Sequence, residues 1–273
     1  GRKMLEVLEQ KKLPVDQLYL VASARSAGKK IIFNGKEYNI YDLEKYDFSK
    51  AEITFFAAGG KISEQYAEKA AKHSTIIDNS SFFRMDKAVP LIVPQVNPED
   101  IDNLKKNIIA NPNCSTAQLV IALKPLHDEF DIKRVVISTY QSVSGGGKAP
   151  MDELIEQTKL SLDNQKIKSR NFTKQIAFNA IPHIDIFADD GYTKEELKMV
   201  NETKKIIDKK IKMTATCVRI PVSVSHSESV NIEFEKSFTL EKVRSVLNGA
   251  AGCEVYDKRE DGGYITPLEA EGK

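Results

Sequence analysis

The sequence predicts two domains of the α/β class: a doubly wound parallel-sheet domain over residues 1–113 and an α+β domain over residues 114–273. In the first part, short apolar strands alternate with helices, which is typical of a parallel sheet. In the second part, the strands are longer and rich in β-branched residues, which favours a mixed or antiparallel sheet with one covered face. The 273 residues, 41% of them hydrophobic, are enough to form two cores.

The predicted elements of the first domain follow the order of such a sheet, except at its start. A doubly wound sheet normally opens with a strand, and this sequence opens with a helix, so we expect the first strand to be missing from it. The predicted elements are the helix 2–11, the strand Leu18–Ala22, the strand Ile53–Ala58, the helix Ile62–Lys72 and the strands Thr75–Asp78 and Leu91–Val93.

The predicted elements of the second domain begin with a helix that has apolar residues at helical spacing. Long strands and two further helices follow it, and a polar segment is predicted to be a loop. These elements are the helix Ser115–Phe130, the strand Val135–Tyr140, the helices 148–162 and 194–209, the strands Thr214–Val224 and Val230–Phe234, and the loop Asn164–Asn171.

Composition and charge exclude several classes of function. The net charge of +1 gives no broad surface for nucleic acid. Three cysteines and four histidines are scattered without CxxC or HExxH spacing, so we expect no metal site. The odd number of dispersed cysteines suits a reducing cytosol, and no apolar run is long enough to span a membrane. We therefore expect a cytoplasmic protein.

Cys114 lies in the segment Asn111–Thr116, at the mouth of the predicted helix. Pro112 ends the preceding strand, and Ser115 or Thr116 can cap the helix. The positive end of the helix dipole favours a thiolate, which attacks carbonyl groups. Cys114 is therefore a candidate nucleophile. The alternative is a small buried cysteine beside a helix cap.

A candidate nucleotide-binding segment, Ser23–Lys29, follows the strand Leu18–Ala22. In nucleotide-binding domains, an acidic residue at this place binds the ribose 2′-hydroxyl group. Here there is no acid, and Arg25 and Ser26 suit a 2′-phosphate, which favours NADP over NAD. Gly1 directly precedes a helix and can be the last glycine of a phosphate-binding loop. The alternative is a polar surface loop.

Three further segments place polar side chains or glycines where ligands bind. Arg84 follows the strand Thr75–Asp78, so it can hold a phosphate or carboxylate; the alternative is a solvent-facing arginine. The run that contains Ser144 and Gly145 follows another strand and offers backbone donors, although it can also be a flexible turn. Glu195 and Lys198 share a helix face, where a solvated ion pair is the alternative.

Arg219 and His226 flank a segment that reads Ile-Pro-Val-Ser-Val-Ser. In an unbroken strand, positions seven apart lie on opposite faces, but Pro221 and the serine-rich stretch can break that register. Histidine is the side chain best suited to proton transfer near neutral pH. His226 is therefore a candidate acid/base, and a surface histidine is the alternative.

Taken together, these motifs resemble those of bacterial aspartate-semialdehyde dehydrogenases, from Gly1 to about Pro267. Six motifs occur in the order of that family. They are Ser-Ala-Arg-Ser-Ala-Gly-Lys (23–29), Pro-Asn-Cys-Ser-Thr (112–116), Ser-Thr-Tyr-Gln-Ser-Val-Ser-Gly (138–145), Ile-Ala-Phe-Asn-Ala-Ile-Pro (176–182), Glu-Glu-Leu-Lys-Met (195–199) and Arg-Ile-Pro-Val…His-Ser-Glu (219–228).

The resemblance implies a Rossmann-type NADP-binding domain followed by a catalytic and dimerisation domain of the glyceraldehyde-3-phosphate-dehydrogenase-like kind. It implies a cytoplasmic homodimer or homotetramer that interconverts L-aspartate 4-semialdehyde and L-aspartyl 4-phosphate with NADP and phosphate. The reaction serves lysine (through diaminopimelate), methionine and threonine biosynthesis. No membrane or nucleic-acid partner is implied.

The resemblance also implies a role for each candidate residue. Cys114 would be the nucleophile, His226 the acid/base, and Gln141 the residue that orients the thioester. Arg219 would bind the substrate carboxylate and Glu195 the substrate amino group. Phosphate would be bound by Arg84 and Lys198, and NADP by Gly1, Arg25, Ser26, Ser144 and Gly145.

The chain departs from the family pattern at both ends. Only the last glycine of the family's glycine-rich loop is present, as Gly1, and the family continues past Lys273 with a segment that completes both domains. That loop binds the pyrophosphate through backbone amides. We therefore expect residues 1–273 alone to fold less stably and to bind NADP more weakly than a full-length family member. The implied function is that of the full-length protein.

Three other functions are compatible with parts of the sequence. The first is a reductase of N-acetylglutamyl phosphate. Its substrate has no free amine, so such an enzyme would need no carboxylate at the position of Glu195. A Cys-His acyltransferase or hydrolase would use Cys114 without a nicotinamide, and the Ser23–Lys29 segment argues against it. A non-catalytic nucleotide-binding module is disfavoured by the presence of Cys114, Gln141, Arg219 and His226 together.

Overall fold

The computed structural model describes residues 1–272 and, at position 103, the backbone only. The chain forms two compact units. The first unit comprises Gly1–Ile92 and Glu99–Asn111, and the second comprises Val93–Pro98 and the chain from Pro112 onward. The chain therefore enters the second unit twice, first with a short segment and then at Pro112.

The first unit contains two three-stranded sheets and two helices. Strands β4, β5 and β6 are all parallel, with α2 crossing between β4 and β5, which confirms the predicted doubly wound arrangement. In the other sheet, β3 lies between β1 and β2. The elements are α1 (Arg2–Gln10), β1 (Leu20–Ala22), β2 (Lys30–Phe33), β3 (Lys36–Asp42), β4 (Ile53–Phe56), α2 (Gly60–Ala70), β5 (Thr75–Asp78) and β6 (Ile108–Ala110).

Two features of the first unit differ from the sequence prediction. The predicted strand Leu91–Val93 is reduced to a single bridge between Leu91 and Ala110. The hairpin β2–β3 was not predicted, although its turn carries the strongest short-range hairpin signal. Asn34 and Gly35 both have positive φ angles, 48° and 73°, as a two-residue type I′ turn requires.

The second unit packs its helices against a mixed three-stranded sheet. Strand β7 is central, with β8 parallel on one side and β9 antiparallel on the other, as predicted for a mixed sheet. Apolar residues of α3, β7 and α5 form its main core. The elements are α3 (Cys114–Phe130), β7 (Ile132–Gln141), α4 (Lys148–Leu162), α5 (Lys194–Ile206), β8 (Lys212–Arg219), β9 (Ser227–Phe234), α6 (Leu240–Asn248) and α7 (Pro267–Ala270).

The segment between β8 and β9 corrects the predicted strand Thr214–Val224. Strand β8 ends at Arg219, because Pro221 has no backbone N–H to continue the ladder. The chain then turns, with Ser225 at a positive φ of 72°, and returns as β9 on the far side of β7. Since Gln141 pairs with Arg219, and Tyr140 pairs with Ser227, the turn brings three motifs to one end of the sheet.

A buried carboxylate on α4 holds the loop that follows this helix. Glu153 is 1% exposed, and its oxygens accept hydrogen bonds from the backbone N–H groups of Arg170 (2.8 Å) and Asn171 (2.7 Å) and from the Gln157 and Asn171 amides. Burial alone would raise the pKa of Glu153, but these donors lower it. The charged form of Glu153 therefore stabilises the fold.

Within the part of the chain that the structure describes, no helix is long and apolar enough to cross a bilayer.

We predict that Glu153→Gln lowers the free energy of unfolding by about 2–3 kcal/mol at pH 7, because a buried amide then faces donors that lose their acceptor. The lowered pKa means that this stabilisation is fully present above the unfolded pKa of about 4. It is lost as the pH falls through the folded pKa. Urea unfolding at several pH values measures this effect.

The matched control for this measurement is Glu156→Gln on the same helix. Glu156 pairs with the Arg170 side chain but is exposed, so its loss should leave the unfolding transition unchanged. Equal effects of the two substitutions would show that Glu153 does not hold the loop.

Candidate active site

Cys114 is the first residue of α3, and Asn113 caps the helix. Asn113 Oδ1 accepts hydrogen bonds from the backbone N–H groups of Ser115 (3.0 Å) and Thr116 (3.4 Å). The prediction that Ser115 or Thr116 caps the helix was therefore wrong, because the helix begins one residue earlier. The Cys114 side chain is accessible to solvent, although protein atoms crowd most of its surroundings.

The thiol of Cys114 lies against the imidazole of His226, with 3.1 Å between Sγ and Nε2. The other ring nitrogen, Nδ1, accepts a hydrogen bond from the backbone N–H of Ser142 at 3.0 Å. A backbone N–H can only donate, so the neutral imidazole must carry its proton on Nε2, facing the sulphur. The Ser142 hydroxyl lies 3.1 Å from Nδ1 and 3.0 Å from Ser144 Oγ.

A buried carboxylate, Glu195, connects the helix cap to the end of β7. Its Oε1 accepts hydrogen bonds from Asn113 Nδ2 (2.9 Å) and Gln141 Nε2 (3.0 Å), and its Oε2 accepts one from Lys198 Nζ (3.0 Å). The Gln141 amide also donates to Ser115 Oγ at 2.8 Å. Glu195 is only 6% exposed, so the predicted pair with Lys198 is not a solvated surface ion pair.

Arg219 lies at the end of β8, next to the turn that follows β7. Its Nη1 donates to the backbone carbonyl of Ser142 at 2.5 Å. A Cβ atom on Gly145 would lie 3.2 Å from this Nη1, so a larger residue would require the guanidinium group to shift by a few tenths of an ångström, whereas His226 Cε1, at 3.6 Å, would be at an ordinary contact distance. Arg219, His183 and Asp185 also line a cavity of about 310 Å³, large enough for a small metabolite.

The electrostatics of the cluster differ from the sequence prediction at Cys114. Burial, and then the negative charge of Glu195, raise the pKa of the thiol, and the helix amides and Arg219 offset this only in part. The helix terminus therefore favours the thiolate as predicted, but burial and Glu195 outweigh it, so the pKa of Cys114 is raised in the resting molecule. Burial and the positive charge of Arg219 lower the pKa of His226, so the resting pair is neutral.

The remaining predicted site residues belong to the first unit. Gly1 precedes α1, and Arg25 is exposed in the turn after β1. The backbone N–H of Ser26 closes that turn by donating to the carbonyl of Ser23 at 2.8 Å. Arg84 is only 8% exposed and donates from Nε to the Ser80 carbonyl at 3.1 Å, so it is not a solvent-facing arginine.

Sequence reasoning missed three residues that shape the cluster. Asn113 lies inside a motif used for the analysis, but its side chain was given no role. Ser142 follows Gln141, and its main contributions are its backbone N–H and C=O groups, which no sequence pattern reveals. Asp185 lies three residues beyond the nearest motif, and its carboxylate contacts Lys198 at 2.7 Å. No signal in the sequence pointed to Asp185, because it is 13 positions from Lys198 and only the fold brings the two together.

In the described part of the chain, no group of three or more histidine, cysteine, aspartate or glutamate side chains could hold a metal ion.

Comparison with known proteins places both units in one family. The family model described as the semialdehyde dehydrogenase NAD-binding domain matches residues 1–104, and the model described as the semialdehyde dehydrogenase dimerisation domain matches residues 123–273. Aspartate-semialdehyde dehydrogenase from Aquifex aeolicus is 52% identical over 278 residues, which cover 100% of this chain and 82% of the relative. The corresponding protein from Shewanella violacea is 47% identical over 96% of this chain and 78% of the relative.

Solved structures show the same likeness. A crystal structure of aspartate semialdehyde dehydrogenase II from Vibrio cholerae has a TM-score of 0.96 and 46% identity, and the match covers 100% of this chain and 82% of that one. A second crystal structure of that protein, complexed with ASA, matches with the same TM-score, identity and coverage.

We predict that the rate at which iodoacetamide alkylates Cys114 rises only at a higher pH than for an unperturbed cysteine thiol, because burial and Glu195 raise the pKa of Cys114. Glu195→Gln removes the negative charge and should move the profile to lower pH. Peptide mass spectrometry measures the modified fraction at each pH.

Cys253 serves as the internal control, since burial alone raises the pKa of its thiol. Cys217 is a poorer control, because the charge of Glu195 adds to the burial that raises its pKa to about 12. A Cys114 profile that stays in place in Glu195→Gln would show that Glu195 does not act on the thiol.

Proposed function

The chain belongs to the aspartate-semialdehyde dehydrogenase family of oxidoreductases, and on that premise we propose that it interconverts L-aspartate 4-semialdehyde and L-aspartyl 4-phosphate with NADP and phosphate. The reaction proceeds through a thioester on Cys114. The observation that carries this proposal is the 3.1 Å contact between Cys114 Sγ and His226 Nε2, with Glu195, Gln141 and Arg219 around it.

Cys114 is the nucleophile of the proposed reaction. In the oxidative direction the Cys114 thiol first loses its proton to solvent, which reaches this side chain, and the thiolate attacks the aldehyde carbon, so that the carbonyl oxygen takes up negative charge. Loss of a hydride from this carbon, for which a bound nicotinamide would be the acceptor, then leaves the acyl group on sulphur as a thioester, and phosphate displaces the Cys114 thiolate to give the acyl phosphate. Covalent capture divides one difficult reaction into two easier steps. In the biosynthetic direction, aspartyl phosphate acylates Cys114.

His226 is the acid/base of the proposed reaction. The Ser142 backbone N–H fixes the tautomer in which Nε2 carries the proton. This N–H points toward Cys114 Sγ. Its hydrogen bond can therefore stabilise the negative charge on the thiolate and later that on the oxygen of the adduct. Because Nε2 already carries a proton in this tautomer, it cannot take up the thiol proton, and the neutral imidazole acts instead as a hydrogen-bond donor to the thiolate and to the oxygen of the adduct.

Arg219 and Glu195 complement an α-amino acid. A planar guanidinium group binds a carboxylate at two points, and a carboxylate binds an ammonium group. Arg219 lines the cavity and Glu195 is ionised, because Lys198 and the amide donors outweigh the effect of burial and lower the pKa of Glu195. The negative charge of Glu195 supports a substrate with a free amine over an N-acetylated one.

Lys198 and Arg84 are proposed to bind phosphate, because each side chain carries a positive charge and N–H groups that can donate hydrogen bonds to phosphate oxygens. The charges of Glu195 and Asp185 keep the pKa of Lys198 above its ordinary value, although burial acts in the opposite direction. Gln141 is proposed to orient the thioester, since both donor contacts of its amide are fixed by Ser115 and Glu195.

The turn after β1 suits NADP. Arg25 is exposed there, and no acidic residue follows β1 directly, which favours a 2′-phosphate over a free 2′-hydroxyl group. Gly1, Ser26, Ser144 and Gly145 are proposed as the other contacts. When bound, the nicotinamide would supply the hydride acceptor in oxidation and the hydride donor in reduction.

The proposed reaction belongs to lysine, methionine and threonine biosynthesis, with the enzyme acting in the cytoplasm as a homodimer or homotetramer. The match of residues 123–273 to a family model described as a dimerisation domain supports the assembly.

The test of the proposed function is an absorbance assay at 340 nm with aspartate semialdehyde, NADP and phosphate. We expect NADPH to form only when phosphate is present, because phosphate must release the thioester. Cys114→Ala should lower turnover about a thousandfold or more. It should leave NADP affinity unchanged.

Two results would contradict the proposal: well-folded protein that forms no NADPH, or a Cys114→Ala variant with a rate close to that of the wild type. Activity with N-acetylglutamate semialdehyde instead would favour the N-acetylated substrate.

We predict that Arg25→Ala reduces the preference for NADP over NAD by about tenfold, the size of one charge-assisted contact. The ratio of kcat/KM for the two nucleotides measures it. Lys29→Ala, in the same segment, is the matched control and should change the ratio less. An unchanged ratio in Arg25→Ala would mean that another residue binds the 2′-phosphate.

A further inference from the structure

Asp185 combines three features that no motif accounts for. Its backbone is left-handed, with a φ of 70°. Its Oδ2 accepts a hydrogen bond from Lys198 Nζ at 2.7 Å, and its Oδ1 accepts one from the backbone N–H of Ile186 at 2.9 Å. It also lines the cavity that contains Arg219. A non-glycine residue in this backbone region costs about 1 kcal/mol or more and tends to occur at functional sites.

Lys198 is held between two carboxylates. Its ammonium group has three N–H donors, of which one goes to Glu195 Oε2 at 3.0 Å and one to Asp185 Oδ2. Within the described residues, the third donor has no protein partner. Two fixed acceptors determine the direction of the third N–H, whereas Glu195 alone would leave the long lysine side chain free to rotate.

We propose that Asp185 is the positioning residue for Lys198: it fixes the lysine so that its remaining N–H binds an oxygen of the phosphate. This inference rests on the proposed function and adds a residue to it. The side chain of Asp185 makes the same contact before phosphate arrives, so the ordering of Lys198 is complete in the free protein and phosphate binding does not have to supply it.

The left-handed backbone of Asp185 agrees with this role. Aspartate and asparagine adopt this conformation more easily than other non-glycine residues, because their short polar side chains bond locally. The hydrogen bond that the Ile186 N–H donates to Oδ1 is such a local contact. It holds the carboxylate in one orientation, which leaves Oδ2 aimed at Lys198.

The test is Asp185→Asn, which removes the charge but keeps the size and the tolerance of the left-handed backbone. We expect KM for phosphate to rise about tenfold, the loss of one charge-assisted contact. KM for the aldehyde, and kcat at saturating phosphate, should stay within about twofold, since the nucleophile is untouched. Asp185→Gly removes the carboxylate and keeps a residue that tolerates the positive φ, so it should give the same KM change.

The matched control is Asp152→Asn. Asp152 pairs with Lys148 at 2.7 Å, the same distance as the Asp185–Lys198 pair, but both residues are exposed on α4. All three kinetic constants should remain unchanged in this variant.

Two outcomes would overturn the inference alone: a KM for phosphate that is unchanged or lower in both Asp185 variants, or a parallel rise of all the Michaelis constants. A wild-type enzyme that oxidises the aldehyde without phosphate would instead contradict the proposed function, and the inference with it.

Discussion

The site depends on one buried carboxylate, that of Glu195. Its two oxygens accept hydrogen bonds from three donors on three segments: the cap of α3, the end of β7 and the next turn of α5. A buried charge is tolerated only when such partners replace water. Because the cap residue Asn113 also sets the start of α3, the position of Cys114 depends on the same carboxylate. The geometry of the nucleophile and the ionisation of Glu195 are therefore linked.

The second constraint is the end of β8. If this strand continued to Val224 as predicted, Arg219 and His226 would lie on opposite faces of the sheet. The break at Pro221 and the positive φ of Ser225 allow the chain to return on the other side of β7. His226 then meets the Ser142 amide and Cys114, and Arg219 meets the Ser142 carbonyl. Ser142, directly after β7, thus orients two functional side chains: its N–H orients His226 and its carbonyl orients Arg219.

Much of this arrangement could be predicted from the sequence, and the rest was missed for physical reasons. Apolar periodicity located α3, and β-branched residues located β7. The motifs named Cys114, Gln141, Glu195, Lys198, Arg219 and His226, which the structure brings together in the second unit. The contributions of Ser142 are backbone groups, which every residue carries. The pKa of Cys114 depends on burial and on a charge 81 positions away, whereas the sequence displays only the adjacent helix terminus.

The resting cluster is arranged so that the nucleophile responds to what binds beside it. Glu195 raises the pKa of Cys114, so any cation that binds at Glu195 reduces this effect and favours the thiolate. If Glu195 takes the ammonium group of the substrate as proposed, the amino acid itself promotes ionisation of the thiol that attacks it. A substrate without a free amine would leave the contribution of Glu195 to the pKa of Cys114 in place, in addition to the larger contribution of burial. The same carboxylate would then select the substrate twice, once in binding and once in the reactivity of Cys114.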